Sequence, residues 1–187
     1  MDLSHLFQQE GKQIARSKGE YIFRQGDVDK SLYFIHSGLL KAYYIGEDGK
    51  ESVKSFLTPM NIIGNLTSAY LDERCSFSLV CLEPSVLYEI PLSTVTDYSR
   101  HDLEVANQLI ELLLRLAVKK EIREYEFLCL SAENRFRTLM EKSPNLLERV
   151  SQNDIARYLG ITPVGLSRIK KRLLKKKTPE TDHGLPF

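Results

Sequence analysis

The chain has 187 residues, 42% of them hydrophobic and 27% charged, which is enough for one sizeable folded unit or two small ones around an ordinary core. No apolar run reaches membrane-spanning length, and the opening MDLSHLFQQEGKQIARSKGE lacks the apolar segment of a secretory signal. A cytoplasmic chain with no membrane partner is expected.

Over the first hundred residues the apolar residues fall in short runs rich in Val, Ile, Phe, Tyr and Leu. They are YIF (21–23), SLYFIHSG (31–38), LLKAYYIG (39–46), ESVKSFL (51–57), SFSLVCL (76–82) and VLYEIPL (86–92). Turn signals separate them: Gly26-Asp27, Ser37-Gly38, Glu47-Asp48-Gly49, Pro59-Met60-Asn61 and Glu83-Pro84. Gly26, Gly38 and Gly49 are expected at turns that need positive φ. The even rhythm of short strands suits an antiparallel roll or barrel.

From Asp102 the period becomes helical. Leu103, Ala106, Ile110, Leu113 and Ala117 make one stripe, and Leu114, Val118, Ile122, Tyr125 and Cys129 make a second. No Gly or Pro interrupts residues 101–131. A helix of about 25 residues would be roughly 38 Å long. Apolar residues on two sides require two covers, the roll and a further one, and the same helix of a second copy is the economical choice. Ser131 can cap the next helix, with Phe136, Leu139 and Met140 inward, and Ser143-Pro144-Asn145 ends it.

The stretch SQNDIARYLGITPVGLSRIKKRL (151–173) then holds two short amphipathic runs that meet at Gly160. Ser151, with Asp154 three residues on, is close to a capping box. Ile155, Ala156 and Leu159 face inward, and Gly160 can take the left-handed conformation that ends this helix. Ile161 plugs the turn, Thr162 caps a second helix, and Pro163 fills its first position, where a missing N–H costs nothing. Leu166, Ile169 and Leu173 form its buried face, which leaves Val164, Ser167, Arg168 and Lys171 outward and Lys170 and Arg172 on the flanks. This is helix-turn-helix geometry, whose second helix enters the major groove of DNA. Charge agrees. Residues 150–177 carry eight Lys/Arg against one acid, a net of +7, while residues 1–149 carry 18 basic residues against 22 acids. A basic end on an acidic body suits a phosphate backbone. Beyond Leu174 the chain is polar, carries two prolines and lacks periodicity, as a flexible tail would.

Enzyme chemistry finds no support in these residues. Cys75, Cys81 and Cys129 have no C-x-x-C spacing and read as buried thiols. The four histidines are scattered, with no two closer than 31 residues, so the H-x-H pair of a metal-dependent β-roll enzyme is missing. No metal, no P-loop and no nucleophile–base pair is expected.

Taken together, the segments resemble the Crp/Fnr family of transcription regulators over residues 15–174. GEYIFRQGDVDKSLYFIHSGLLKAYYIGEDGKE and SFLTPMNIIGNL resemble that family's cyclic-nucleotide-binding domain, including Gly26-Asp27, Leu32-Tyr33-Phe34-Ile35, Gly38 and Gly64. DIARYLGITPVGLSRIKKRL resembles its DNA-binding motif. The resemblance implies an α+β chain: an antiparallel β-roll (double-stranded β-helix) at 1–100, a long dimerisation helix at 101–130, a helix-turn-helix domain at 131–177 and a tail at 178–187. It further implies a homodimer, double-stranded promoter DNA as partner, possible contact with RNA polymerase, and a small-molecule effector in the roll. Thr162, Val164, Ser167, Arg168 and Lys171 become the DNA-facing residues, with Arg168 suited to a bidentate guanine contact.

The effector cassette reads GNLTSAYLDERCSF. Gly64, Leu66 and Arg74 match the family pattern, but Asn65 stands where a glutamate accepts ribose hydrogen bonds and Cys75 where a small residue is usual. Lys120 and Glu121 lie near the place of small hydroxyl residues in cAMP-responsive members. The candidate ligand site is therefore Gly64, Asn65, Leu66, Arg74 and Cys75, tuned to an effector other than cAMP, or vestigial with Arg74 paired to a nearby acid. The cysteine cluster of iron–sulfur members has no counterpart among Cys75, Cys81 and Cys129. A cAMP-responsive regulator, and a module whose helix-turn-helix grips protein, remain the alternatives. The sequence leaves open activator or repressor action, and whether a strand pair follows the second helix.

Overall fold

The computed structural model describes residues 2–175. The tail expected at 178–187, Lys176 and Lys177 of the basic segment, and any strand pair that would follow lie outside the described residues. The described residues divide into two compact units, one ending at Leu130 and the other beginning at Ser131.

The first unit runs α1 (Leu3–Glu10), β1 (Lys12–Arg16), β2 (Tyr21–Phe23), β3 (Ser31–Ser37), β4 (Leu40–Ile45), β5 (Glu51–Leu57), β6 (Ile62–Gly64), α2 (Leu66–Leu71), β7 (Ser78–Cys81), β8 (Ser85–Pro91), α3 (Leu92–His101) and α4 (Leu103–Cys129). Its strands form two four-stranded antiparallel sheets, in the orders β1-β8-β3-β6 and β2-β7-β4-β5. This is the roll expected from the strand rhythm. The three turn glycines take positive φ as expected, at 93°, 104° and 74° for Gly26, Gly38 and Gly49.

Between the sheets lies one core of Phe23, Tyr33, Ile35, Leu40, Leu57, Phe77, Leu79 and Leu87 with their neighbours. A second apolar cluster lies on the outer face of the first sheet. There Leu32 and Phe34 of β3 and Ile90 of β8 meet Leu6 and Phe7 of α1, Val95 of α3 and Val105 of α4. Strand β3 is thus buried on both faces, which explains why LYFI is a continuous apolar run rather than an alternating one.

Three helices on the roll were not anticipated. Helix α1 is capped by Asp2, whose Oδ1 accepts from the Ser4 N–H (3.1 Å). Helix α2 has only six residues, and α3 opens in Leu-Ser-Thr-Val-Thr, a β-branched stretch of poor helix propensity held by burial of Val95. The change of period at Asp102 is a cap. Its backbone is extended (φ −125°, ψ 107°), and its Oδ1 accepts from Glu104 and Val105 N–H at 2.9 and 3.2 Å.

The second unit consists of α5 (Ala132–Lys142), α6 (Pro144–Arg149), α7 (Gln152–Leu159) and α8 (Pro163–Lys175). Ser131 caps α5 as expected, accepting from Asn134 N–H at 3.2 Å. Pro144 ends that helix and also occupies the first turn of α6, an element that six residues without a clear apolar stripe did not reveal.

Candidate DNA interface and effector site

In the second unit each turn signal does what its chemistry allows. The Ser151 Oγ accepts from Asp154 N–H (3.1 Å) and donates to the Asp154 carboxylate (2.8 Å), which starts α7. Gly160 is left-handed (φ 67°, ψ 34°), and the Ile161 N–H returns to the Ala156 carbonyl at 3.0 Å, closing a Schellman-type stop. Thr162 Oγ1 then accepts from Gly165 N–H (3.1 Å) to open α8. Ile155, Ala156, Leu159, Leu166, Ile169 and Leu173 are buried, so the two helices share one small core with Phe136 and Leu139 of α5. A guanidinium N–H of Arg135 on α5 reaches the Leu159 carbonyl (2.9 Å) and ties that helix to the end of α7.

Basic side chains on α8 sort into two groups. Lys170 pairs with Gln152 and lies over the Phe136 ring, 5.7 Å from its centroid, and Arg172 bridges to Glu133 at 3.2 Å. These two brace α8 against α5 and α7. Thr162, Val164, Ser167, Arg168 and Lys171 are all exposed, and the side chains of Ser167, Arg168 and Lys171 have no partner among the described residues. A row of cation, hydroxyl and methyl groups on the outside of a capped helix matches what base edges and phosphates take up in a major groove.

The cassette in the first unit is less available. Gly64 ends β6 against Leu32, and a Cβ there would stand 2.4 Å from the Leu32 Cδ2 and 2.8 Å from the Ser31 carbonyl oxygen. Glycine is required for that approach. Asn65 is fully buried and caps α2: its Oδ1 accepts from Ser68 N–H (3.3 Å) and from the Thr67 hydroxyl. Its Nδ2 donates weakly to Ser76 Oγ at 3.5 Å. Leu66 is exposed. Arg74 is exposed and donates to the Gly26 carbonyl (3.2 Å), not to an acid. Cys75 is 2% exposed; its N–H donates to the Asp27 carbonyl and its own carbonyl accepts from Gly26 N–H, both at 2.8 Å. Burial pushes its thiol above the usual range. Gly64, Asn65 and Cys75 therefore serve the local fold, and only Leu66 and Arg74 present side chains outward.

Sequence reading missed Lys54. Strict alternation back from the inward Leu57 would point Ser55 and Val53 in and Lys54 out. The pairing of β4 with β5 instead steps from Ala42–Ser55 to Tyr43–Val53, leaving Lys54 as the extra residue of a β-bulge. Its ammonium lies 4.8 Å from the centroid of Phe77, a core ring, and Tyr44 meets the same ring edge-on at 6.1 Å. Burial, with the charges of Lys120 and Lys119 on α4, brings the Lys54 ammonium down to about 8.

On α4 the side that packs on the roll is Val105, Leu109 and Leu112, not either expected stripe. Leu103, Ile110, Leu113, Leu114, Val118, Ile122 and Tyr125 are all exposed, from 44% to 76%. Cys75 and Cys81 are buried thiols as expected, but Cys129 is exposed on this uncovered face. Among the described residues no group of three His, Cys, Asp or Glu could hold a metal, and no helix is long and apolar enough to cross a membrane.

The model of the cyclic nucleotide-binding domain family matches residues 14–102. A fumarate and nitrate reduction regulatory protein of Vibrio cholerae is 31% identical over 176 residues, which span 86% of this chain and 68% of that protein. The transcriptional activator protein Anr of Pseudomonas aeruginosa is 28% identical, over 83% of this chain and 67% of its own length. The solved structure of FixK2 from Bradyrhizobium japonicum superposes with a TM-score of 0.76, covering 93% of this chain and 89% of that one at 16% identity.

Proposed function

The chain belongs to the Crp/Fnr family of transcription regulators, and on that premise we propose that it works as a homodimer that reads promoter DNA with α8 of each copy. The observation that carries the reading is the outward row Val164, Ser167, Arg168 and Lys171, without polar partners among the described residues, beside flanking cations already used within the unit. Arg168 is assigned the bidentate contact to guanine, Ser167 a base or phosphate contact, Val164 the packing against a thymine methyl, and Thr162 and Lys171 the phosphate contacts. A two-fold pair would read a near-palindrome with half-sites about one helical turn apart.

In this reading residues 1–100 are the sensor roll, 101–130 the connecting and dimerisation helix, and 131–177 the DNA-binding domain. The uncovered apolar face of α4 supports the dimer, since a second copy would bury what the roll leaves exposed. The effector is a small molecule other than cAMP: the buried, capping Asn65 supports this, as it leaves no acceptor where a ribose would sit. The protein acts in the cytoplasm, as a regulator rather than a catalyst, with RNA polymerase as a further partner at the promoter.

Fluorescence anisotropy with duplex DNA tests the reading. We expect a steep fall of affinity with salt, as counterion release demands, and a loss of about 1–3 kcal/mol for Arg168→Ala confined to one base position. Salt-independent binding would instead favour a protein partner for the helix-turn-helix. Equal weakening of Arg168→Ala on every sequence would move Arg168 to a phosphate.

A further inference from the structure

Helix α8 carries a residue that lowers its stability and that nothing in the folded chain requires. Gly165 is the third residue of this helix. Glycine loses more backbone freedom on folding than alanine and weakens a helix. Every other glycine among the described residues has a reason within the chain. Each either takes positive φ or has an atom 3.1 Å or closer to where a Cβ would stand. Gly165 has neither. Its backbone is helical, and a Cβ would meet Thr162 Oγ1 at 3.4 Å and the Ile161 side chain at 3.7 Å, both ordinary contacts. Its N–H donates to Thr162 Oγ1 at 3.1 Å, a bond that alanine would keep. A local rule broken with no return inside the fold points to a contact outside it.

The place of Gly165 on the helix says what that contact is. Arg168 and Ile169 follow it by three and four residues, so it lies on the flank between the outward row and the buried face, and it is partly exposed. A helix with its side chains is about 10–12 Å across and the major groove is about 12 Å wide. A helix lying in that groove therefore meets the sugar–phosphate walls with its flanks. We propose that Gly165 is where α8 and one wall of the groove come closest, with a deoxyribose or phosphate in the space a side chain would fill. The proposal rests on the reading of α8 as the DNA-reading helix, and adds to it a positioning residue that has no side chain of its own to offer. Without a Cβ here the helix sits deeper. Helical side chains lean toward the N-terminus, so Arg168 reaches the base edges past this same open turn.

The test uses the full chain, a duplex that the wild type enriches from random DNA, and the single-base variants of that duplex, all read by fluorescence anisotropy. We expect Gly165→Ala to raise the urea midpoint, because a better helix former replaces a worse one. The same variant should weaken binding to the enriched duplex by about tenfold, the value of one charge-assisted phosphate contact. The loss should be the same factor on every single-base variant, as suits a contact to the DNA backbone, whereas Arg168→Ala acts at one position. Gly165→Leu, also a good helix former, should bind more weakly still.

Binding of the enriched duplex by Gly165→Ala as tightly as by wild type would overturn the proposal and leave the regulator reading standing. A lowered urea midpoint would show that the fold itself requires the glycine, and would overturn it too. So would a loss confined to one base pair, which marks a base contact. Failure of the wild type to enrich any duplex would sink the regulator reading, and with it the docking of α8 in a groove.

Discussion

Replacing Asn65 by alanine removes a side chain that is fully buried and makes three contacts inside the roll. The cap on α2 goes with it, at a typical cost of about 1 kcal/mol. The Ser68 N–H is not orphaned, because it also points at the Asn65 backbone carbonyl (3.1 Å), so the full penalty of an unsatisfied donor does not apply. The 3.5 Å contact to Ser76 adds little. Together these give about 1–2 kcal/mol. Asn65→Glu places the glutamate of the family pattern at this position, but a longer, charged side chain does not fit a site with no exposure, and overpacking adds about 1–3 kcal/mol. Urea unfolding followed by circular dichroism gives both values, and calorimetry with cAMP gives the ligand side. The expected outcome is that alanine destabilises, glutamate destabilises more, and neither binds cAMP. An alanine variant of wild-type stability, together with a glutamate variant that folds normally and binds cAMP, would show that position 65 faces a ligand and refute the capping argument.

Lys54 carries a pH signature. Its folded-state pKa lies near 8 against an ordinary 10.5, so below pH 8 both states hold the charge and the folded state bears the burial cost. Between about 8 and 10.5 the unfolded chain binds more protons, and stability rises with pH. Lys54→Met should therefore be more stable than wild type at neutral pH by about 1–2 kcal/mol, after the cation–π contact is deducted, with the gap closing by pH 10.5; a constant gap in urea midpoints would contradict this. On α4, Leu114→Glu with Val118→Glu alters side chains that are 61% and 53% exposed. The single chain should keep its stability within about 0.5 kcal/mol, while sedimentation shows the dimer lost; a dimer that survives would place the interface elsewhere. Gly64→Ala should cost about 1–3 kcal/mol by forcing Leu32 away, read as a lowered urea midpoint of the roll.

Local chemistry was legible in the sequence wherever it is short-ranged. Ser151, Gly160, Thr162 and Pro163 set the turn of the helix-turn-helix by contacts within a few residues, so pattern reading placed α7 and α8 closely. The turn glycines behaved likewise. What sequence hid depends on partners far along the chain. The bulge at Lys54 is a property of how β4 pairs with β5, and alternation within ESVKSFL points the other way. The roll-facing side of α4 is Val105, Leu109 and Leu112, a third apolar row masked by two longer ones that stay exposed. Asn65 matched a ligand position by spacing, but its burial beneath Thr67, Ser68 and Ser76 makes it a cap. Cys129 was grouped with the buried thiols because composition does not distinguish an apolar face against the core from one left open.

Selection from random duplex DNA by the purified protein, at near-physiological salt and without nucleotide, tests the central claim most directly, provided the bulk DNA binding is titrated with salt alongside. The account predicts enrichment of one near-palindrome with half-sites about one helical turn apart, abolished at one position by Arg168→Ala. No enriched sequence, together with duplex binding that does not weaken as salt rises, would contradict it.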